Sequence, residues 1–222
     1  MYIDAKARQL ALVLVELLAN TGIPASGKST FADLLYKYTD SILQNDPRNS
    51  VRAILVLLDG WHLTRAQLDQ FPDPKLARDR RGSHWNFDGP NLREEVLPET
   101  ERIITAPSFD HAIKDPTSHA VQIHPQHRIV IIEGLYTALD VDSWREAALL
   151  LDERWYLELD FEEAQKRLVN RNLVSGVAKD PAEAVWRAEA NGMPNGRFLL
   201  TNTVEATRVI TSVEDPVLAL PA

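Results

Sequence analysis

Residues 22–30 combine glycines, a lysine and hydroxyl groups at a spacing that suits phosphate chemistry. The segment matches the pattern G-x-x-x-x-G-K-[ST]. Gly22 and Gly27 allow backbone conformations that a side chain would obstruct, so successive N–H groups can point at phosphate oxygens. Lys28 would reach the β- and γ-phosphates, and the Ser29 hydroxyl would bind Mg²⁺. The pattern predicts a nucleoside triphosphate site formed by Gly22, Ile23, Pro24, Ala25, Ser26, Gly27, Lys28, Ser29 and Thr30.

Two further segments each place a carboxylate directly after an apolar run. Asp59 follows residues 51–58, and Glu133 follows residues 128–132. Such runs are typical of buried strands, and open α/β sheets bind ligands at the carboxyl ends of their strands. An acid after a strand downstream of a phosphate loop also matches the Walker B pattern, whose carboxylate binds Mg²⁺. We therefore expect both acids beside the phosphate loop, with Ser29 and Glu133 as metal ligands.

Two polar segments carry basic and aromatic residues. Residues 64–90 are rich in turn formers, and residues 106–111 form a second predicted loop. For Arg80, Arg81 and His84 two interpretations stay open, a solvated surface or contacts to a substrate beside the phosphate site. For Arg78 we favour the solvated surface.

The rest of the chain alternates between predicted strands and helices. A strand near residues 13–19 must precede the phosphate loop, although residues 5–19 also suit a helix. The alternation favours a mainly parallel sheet with helices on both faces, in one domain of residues 1–222. The other predicted elements are helices at 28–44, 90–104, 144–151, 162–174 and 181–190, a loop at 191–196, and strands at 154–159 and 207–211.

Arg167 and Arg171 are one turn apart on the predicted helix 162–174. Arginines in this arrangement could close over phosphates as part of a helical lid of about residues 162–196. A surface face paired with Glu163 explains the same spacing, and the pattern alone does not separate the two interpretations.

Composition limits the classes of partner. The 222-residue chain has a net charge of −8, which argues against nucleic acid or an anionic membrane as its main partner. It has no cysteine, which excludes disulfides and thiolate metal sites. The apolar run at 10–19 contains Glu16 and is too short to span a bilayer, and the start lacks a signal-peptide pattern. We expect a cytoplasmic protein with no nucleic-acid and no membrane partner, and a homodimer is compatible with the sequence.

Four segments in order resemble the group of uridine kinase, pantothenate kinase and phosphoribulokinase: residues 22–30, 59–63, 107–111 and 133–136. Residues 80–90 and 167–196 look closest to uncharacterised uridine-kinase-like members. The resemblance implies an α/β, three-layer P-loop NTPase fold with a five-stranded, mainly parallel sheet of the nucleoside-monophosphate-kinase type and a helical lid. It also implies transfer of the γ-phosphoryl group of ATP, with Mg²⁺, to a hydroxyl of a small molecule.

The resemblance further implies roles for individual residues. Asp59 matches the acid that contacts the accepting hydroxyl and takes its proton, while Lys28 would hold the phosphates. The lid arginines of the group match Arg167 and Arg171 only approximately. The acceptor pocket would be formed by Asp59, His62, Arg81, His84, Phe109, His111 and Tyr136.

The chain departs from the group at two places. Ala25 stands where glycine is common, at a position that the general motif leaves free. The group also has a helix and then a complete strand before the phosphate loop, and the residues between Asp4 and Gly22 leave too little room for both.

Several acceptors and one other class of function stay open. Uridine or another nucleoside suits a pocket with aromatic and histidine side chains, while pantothenate, glycerate or a sugar is an alternative. An ATPase or a nucleotide-gated regulator would need no acceptor pocket. The presence of Asp59, with histidines and arginines in the neighbouring loops, favours a kinase.

Overall fold

The computed structural model describes residues 17–45, 50–89, 91–92, 103–110 and 112–214. Its strands are β1 (Leu17–Gly22), β2 (Arg52–Leu57), β3 (Ile104–Asp110), β4 (Asp115–Ile123), β5 (His127–Glu133), β6 (Glu153–Glu158) and β7 (Arg208–Thr211). Its helices are α1 (Lys28–Gln44), α2 (Arg65–Leu68), α3 (Pro74–Asp79), α4 (Asp142–Leu149), α5 (Phe161–Val174), α6 (Pro181–Arg187) and α7 (Met193–Thr201), with 3₁₀ turns at Leu58–Trp61 and His84–Asn86 and a π-helical turn at Ala188–Gly192. Within these ranges, no helix is long and apolar enough to cross a membrane.

Five strands form one parallel sheet in the order β2-β5-β1-β6-β7. All six residues of the central strand β1 are buried. Asn20 lies opposite Glu133 of β5, and Gly22 lies opposite Leu157 of β6. The phosphate loop, the Leu58–Trp61 turn and the segment after Glu133 therefore leave the sheet at the same edge. The predicted five-stranded parallel sheet is confirmed.

Helices cover both faces of this sheet, which gives the three layers expected. On one face, Phe31 and Leu35 of α1 pack into a cluster with Trp155 of β6. On the other face, Trp144 of α4 and Leu199 of α7 join a larger buried cluster with sheet residues. The two faces of the sheet are therefore apolar, and the polar groups of the site are left at its edge.

The strand required before the phosphate loop is present as β1. It continues to Gly22 instead of ending near Ala19, because its pairing with β6 includes Gly22. The alternative helix at residues 5–19 and the lack of room before the phosphate loop both depend on residues before position 17. Those residues lie outside the described residues.

The prediction of a loop at 106–111 is wrong for residues 106–110. They belong to β3, which pairs with β4 in an antiparallel hairpin. Pro107 and Pro116 hid this hairpin, because proline cannot donate a hydrogen bond to a strand ladder and usually argues against a strand. The helix predicted from Pro90 cannot reach Ile104, where β3 begins, and most of that prediction lies outside the described residues.

Two other predicted loops contain helical structure. Residues 64–90 include α2 and α3, and Thr64 caps α2 by accepting a hydrogen bond from the backbone N–H of Gln67. Residues 191–196 belong to the π-helical turn and α7. Pro194 lies just after the π-helical turn Ala188–Gly192, and such a local irregularity is a place where a helix can contain a proline.

Candidate active site

The phosphate loop joins β1 to α1 through two residues in the left-handed backbone region. Gly27 has a φ of 86° and Ala25 a φ of 63°. A Cβ on Gly22 would lie 2.7 Å from the carbonyl oxygen of Leu157, so only glycine fits there. The loop leads into the N-terminus of α1, whose first turn contains no acidic residue. The free N–H groups and the positive dipole end of α1 therefore favour a bound phosphate.

Buried polar groups at the end of β1 hold this loop against the sheet. The Nδ2 of Asn20 donates a hydrogen bond to the backbone oxygen of Lys28 at 2.8 Å. The Oγ1 of Thr21 donates to the backbone oxygen of Leu135, also at 2.8 Å. Sequence reasoning missed both residues, although two adjacent polar residues in an apolar strand are a usable signal. Their hydrogen bonds fix the positions of Lys28 and of the segment after Glu133.

Ser29 and Glu133 form the predicted metal-ligand pair. The Oγ of Ser29 donates a hydrogen bond to Oε1 of Glu133 at 3.0 Å. A hydroxyl and a carboxylate are hard oxygen ligands, and Mg²⁺ in proteins is usually bound by one or two such groups plus substrate phosphates. No cluster of three or more metal-ligating side chains occurs among the described residues. The pair fits a Mg²⁺ ion held jointly by the protein and a nucleotide.

Burial shifts the pKa values of two charged groups beside the phosphate loop. Burial raises the pKa of Glu133, while the charge of Lys28 acts in the opposite direction. Burial also lowers the pKa of Lys28, and the charge of Glu133 partly offsets this effect. Charged groups at a site with restricted solvent interact more strongly with a charged ligand than they would in open water.

Asp59 lies in the 3₁₀ turn after β2, where its side chain keeps 47% of its exposure. The turn is tightly packed, since a Cβ on Gly60 would lie 2.2 Å from the carbonyl oxygen of Pro107 in β3. His62 hydrogen-bonds through Nδ1 to the backbone oxygen of Asp59 at 2.9 Å. Its ring packs on Phe87 with centroids 3.9 Å apart. These contacts hold the turn while the Asp59 carboxylate stays accessible.

A polar cavity of about 460 Å³ brings the two predicted acids and the phosphate-loop lysine together. Of the residues predicted from the sequence, it is lined by Pro24, Lys28, Ser29, Asp59, His62, Arg81, Glu133 and Arg171. The other phosphate-loop residues, which are Gly22, Ile23, Ala25, Ser26, Gly27 and Thr30, form the loop and the first turn of α1 without lining the cavity.

Three residues predicted for the acceptor pocket do not line the cavity. Tyr136 is buried and donates a hydrogen bond from its hydroxyl to the backbone oxygen of Gly82 at 3.0 Å, and burial raises its pKa. His84 stacks on Phe198 with ring centroids 4.3 Å apart. Phe109 packs behind the cavity, 5.0 Å from the ring of His62. His111, which was also predicted for this pocket, lies outside the described residues.

Arg81 both lines the cavity and anchors the β3–β4 hairpin. Its guanidinium donates hydrogen bonds to the backbone oxygens of Lys114 at 2.7 Å and Leu63 at 3.0 Å. It also lies 5.2 Å from the ring centroid of Phe109. Burial lowers its pKa, and the carboxylate of Asp115 partly offsets the shift. The solvated-surface interpretation of Arg81 is therefore wrong, because the side chain is largely enclosed.

Arg167 and Arg171 have different surroundings, although they lie on the same helix, α5. The Nε of Arg167 donates a hydrogen bond to Oε1 of Glu163 at 2.9 Å, the surface pairing that the spacing also allowed. Arg167 does not line the cavity, whereas Arg171 does. Burial lowers the pKa of Arg171, and the negative charge of Asp59 partly offsets the shift. Only Arg171 lies where it could contact a phosphate beside Asp59.

Sequence reasoning missed several cavity residues. Arg78 lines the cavity while it also forms a salt bridge with Asp69, so the solvated-surface interpretation describes only part of its environment. Arg187, which pairs with Glu183, also lines the cavity. Asn191 and Asn195 come from the segment predicted as a loop. A local pattern of turn formers gave no signal that this segment folds over the cavity.

Comparison with known proteins places this chain in a family. The ATP-dependent kinase-like protein notR' of Aspergillus versicolor is 40% identical over 159 residues, which cover 69% of this chain and 92% of the relative. A protein of Schizosaccharomyces pombe provisionally named uridine kinase C227.14 is 36% identical over 191 residues, which cover 85% of this chain and 79% of the relative. The chain belongs to this family of uridine-kinase-like, ATP-dependent P-loop kinases.

A solved structure extends the likeness of this kinase to the whole fold. The crystal structure of a provisionally named fructose transport system kinase from Silicibacter sp. TM1040 is 27% identical, with a TM-score of 0.78. The match covers 95% of this chain and 99% of that chain. No protein-family model matches the chain. The relatives support a phosphotransferase that uses ATP, and their names differ in the acceptor.

Proposed function

We propose that this kinase transfers the γ-phosphoryl group of ATP to a hydroxyl of a small molecule, with a nucleoside such as uridine as the favoured acceptor. The observation that carries the proposal is the convergence of Lys28, the Ser29–Glu133 pair, Asp59 and Arg171 on one cavity. Phosphoryl transfer depends on positioning and charge neutralisation more than on covalent chemistry, and these groups supply both.

Each of these residues has a distinct role in the proposed reaction. Lys28 and the N-terminus of α1 bind the β- and γ-phosphates. Mg²⁺, held by Ser29 and Glu133, would neutralise charge on the phosphates. Asp59 accepts a hydrogen bond from the acceptor hydroxyl and takes its proton as the new P–O bond forms. Arg171 donates hydrogen bonds to the transferring group and stabilises its charge.

The acceptor side of the cavity supports a small molecule with a planar or polar group. His62 and Phe87 form one wall near Asp59, and Arg81 lies in the same lining. The two rings are tilted by 36° to each other, and ring faces in a cavity lining suit a nucleobase. The provisional naming of one relative as a uridine kinase adds support for a nucleoside. Pantothenate, glycerate or a sugar remains the alternative within the same reaction class, because likeness to a group of kinases indicates the reaction class better than the substrate.

The test is ATP consumption with Mg²⁺ against a panel of acceptors that includes uridine, cytidine, pantothenate, glycerate, fructose and nicotinamide riboside. We expect ADP release to rise sharply with one acceptor, with the phosphorylated product identified by mass spectrometry. A phosphorylated carboxylate or sugar would replace the nucleoside assignment while keeping the kinase.

The alternative function is that of an ATPase or a nucleotide-gated regulator. It predicts slow ADP release that no acceptor changes and that survives the Asp59→Asn substitution. The kinase predicts that this substitution abolishes acceptor-dependent turnover, so the same variant separates the two functions.

A further inference from the structure

Two asparagines connect the helical segment above the phosphate loop to a loop on the acceptor side of the cavity. The Nδ2 of Asn191 donates a hydrogen bond to the backbone oxygen of Arg81 at 2.7 Å. The Nδ2 of Asn195 donates to the backbone oxygen of Gly82 at 3.1 Å, and the Oγ of Ser83 donates to Oδ1 of Asn195, also at 3.1 Å. A fourth hydrogen bond, from Asn195 to Oδ1 of Asn191, joins the two asparagines at 3.1 Å. We call residues 81–83 the acceptor loop.

The hydrogen bond between Ser83 and Asn195 is buried, and the other three are partly buried at the edge of the cavity. Asn195 is 6% exposed and Ser83 is 2% exposed. Breaking such a bond leaves a buried polar group unsatisfied, which costs more than the bond contributes. Gly82 at the centre of the acceptor loop has a φ of 99°, and its carbonyl oxygen also accepts the hydrogen bond from Tyr136. The conformation of the acceptor loop is therefore held from two sides, by Tyr136 after β5 and by the asparagines.

The segment that carries the asparagines also packs on the phosphate loop. A Cβ on Gly196 would lie 3.2 Å from Cδ of Pro24 and 3.6 Å from Cβ of Ile23, so α7 is in direct contact with that loop. Asn195 is the neighbour of Gly196 in the same helical turn. A continuous set of contacts thus runs from the phosphate loop, through α7, to the acceptor loop.

We propose that Asn191 and Asn195 are positioning residues, which transmit nucleotide binding at the phosphate loop to the acceptor loop. In this arrangement a bound nucleotide further restricts the backbone of residues 81–83 and the Arg81 side chain in the conformation that these hydrogen bonds hold. The name acceptor loop rests on the proposed function. The coupling itself does not, because it joins the phosphate loop to residues 81–83 whatever reaction the cavity supports. A contiguous packed network is the kind of physical connection through which such coupling can act.

Hydrogen exchange measured by mass spectrometry tests the coupling without an identified acceptor. The full chain is compared with and without Mg²⁺ and a non-hydrolysable ATP analogue. In the wild type we expect the analogue to slow exchange in peptides covering residues 22–32 and, by at least roughly threefold, in peptides covering 80–87. In the Asn191→Ala/Asn195→Ala variant the effect at 22–32 should remain and the effect at 80–87 should disappear. The ratio with and without analogue is the readout, because a purely structural loss would speed exchange in both conditions equally.

Two further variants separate the inference from simple damage to α7. Asn195→Asp keeps the size of the side chain but removes the donor to Gly82, so it should lose the coupling as the alanine variant does. Asn202→Ala removes a side-chain hydrogen bond within the same helix, to the backbone oxygen of Phe198 at 2.8 Å, and should keep the coupling.

The inference is overturned if the analogue still slows exchange at residues 80–87 in the double variant. It is also overturned if the analogue has no effect on these residues in the wild type. Failure of the proposed function looks different. A coupling that is intact while no acceptor raises ADP release would contradict the kinase reaction and leave the coupling in place.

Discussion

The Oγ of Ser29 and Oε1 of Glu133 are 3.0 Å apart, although the two residues are separated by 104 positions in the chain. One belongs to the first turn of α1 and the other ends β5, the strand beside β1. The parallel sheet creates this contact, because neighbouring strands end at the same edge. This contact is the basis of the proposal that the two oxygens bind Mg²⁺ together with a nucleotide.

Removal of either oxygen should weaken the use of Mg²⁺. We expect Ser29→Ala and Glu133→Gln each to raise the Mg²⁺ concentration for half-maximal ATP binding by roughly 10-fold. Titration of Mg²⁺ with a fluorescent ATP analogue measures this. Thr201→Ala, which removes a hydroxyl from the end of α7, should leave the titration unchanged. Identical Mg²⁺ curves for the wild type and both site variants would contradict the assignment of the pair.

Asp59→Asn should separate nucleotide binding from turnover. The amide keeps the shape of the side chain but cannot take a proton, so we expect kcat to fall by roughly 10²–10⁴-fold while ATP binding changes little. Asp79→Asn is the matched control, because Asp79 lines the same cavity but pairs with Lys75. Turnover that survives in the Asp59 variant would exclude this carboxylate as the base.

The two arginines of α5 offer a comparison within one helix. Arg171→Ala should lower acceptor-dependent turnover by at least roughly 100-fold, because its charge lies beside Asp59 in the cavity. Arg167→Ala removes a surface salt bridge with Glu163 and should change turnover by less than roughly threefold. Steady-state rates of both variants at saturating ATP give the answer. Equal losses would restore the idea that the two arginines act as a pair.

Ala25 carries backbone strain that glycine would relieve. Its φ of 63° is a left-handed conformation, which is unfavourable for any residue with a Cβ. We expect Ala25→Gly to raise the free energy of unfolding by roughly 0.5–1 kcal/mol, after the greater flexibility of glycine in the unfolded chain is subtracted. Ala32→Gly, in the interior of α1, should lower it by at least about 1 kcal/mol. Chemical denaturation of both variants would measure the contrast, and a destabilised Ala25→Gly variant would argue against strain at this position.

Stability should fall at mildly acidic pH because of His84. Its ring stacks on Phe198, and burial lowers its pKa below the ordinary value of 6.5. Near pH 6 the folded state therefore binds fewer protons than the unfolded state, so the free energy of unfolding decreases as the pH falls through 6.5. His84→Phe keeps the stacked ring without a titrating group and should show a smaller decrease between about pH 7.5 and 5.5.

His127 should contribute to the same pH dependence of stability, since burial lowers its pKa as well. The double variant His84→Phe/His127→Gln should show the smallest dependence of stability on pH. An unchanged slope in the His84→Phe variant would show that this ring titrates as it does in the unfolded chain.

The parts of the fold that follow a local rule could be predicted from the sequence. The helix after the phosphate loop is the predicted one, Lys28–Gln44, and Glu133 ends the predicted strand. The hairpin and α7 could not be predicted, because Pro107 and Pro194 locally indicate turns while long-range packing decides the outcome. The same limit applies to Asn195, whose partners Gly82 and Ser83 lie more than 110 positions earlier in the chain.

The central position of β1 has a consequence for the synthesis of the protein. Among the described strands, β1 and β2 pair only with β5 and β6, which begin at residues 127 and 153. A ribosome at residue 120 has therefore released two apolar strands for which no partner yet exists. At about 5–20 residues per second they remain unpaired for seconds, a period in which exposed strands are prone to aggregate. We therefore expect the central position of the phosphate-loop strand to raise the need for chaperones during translation.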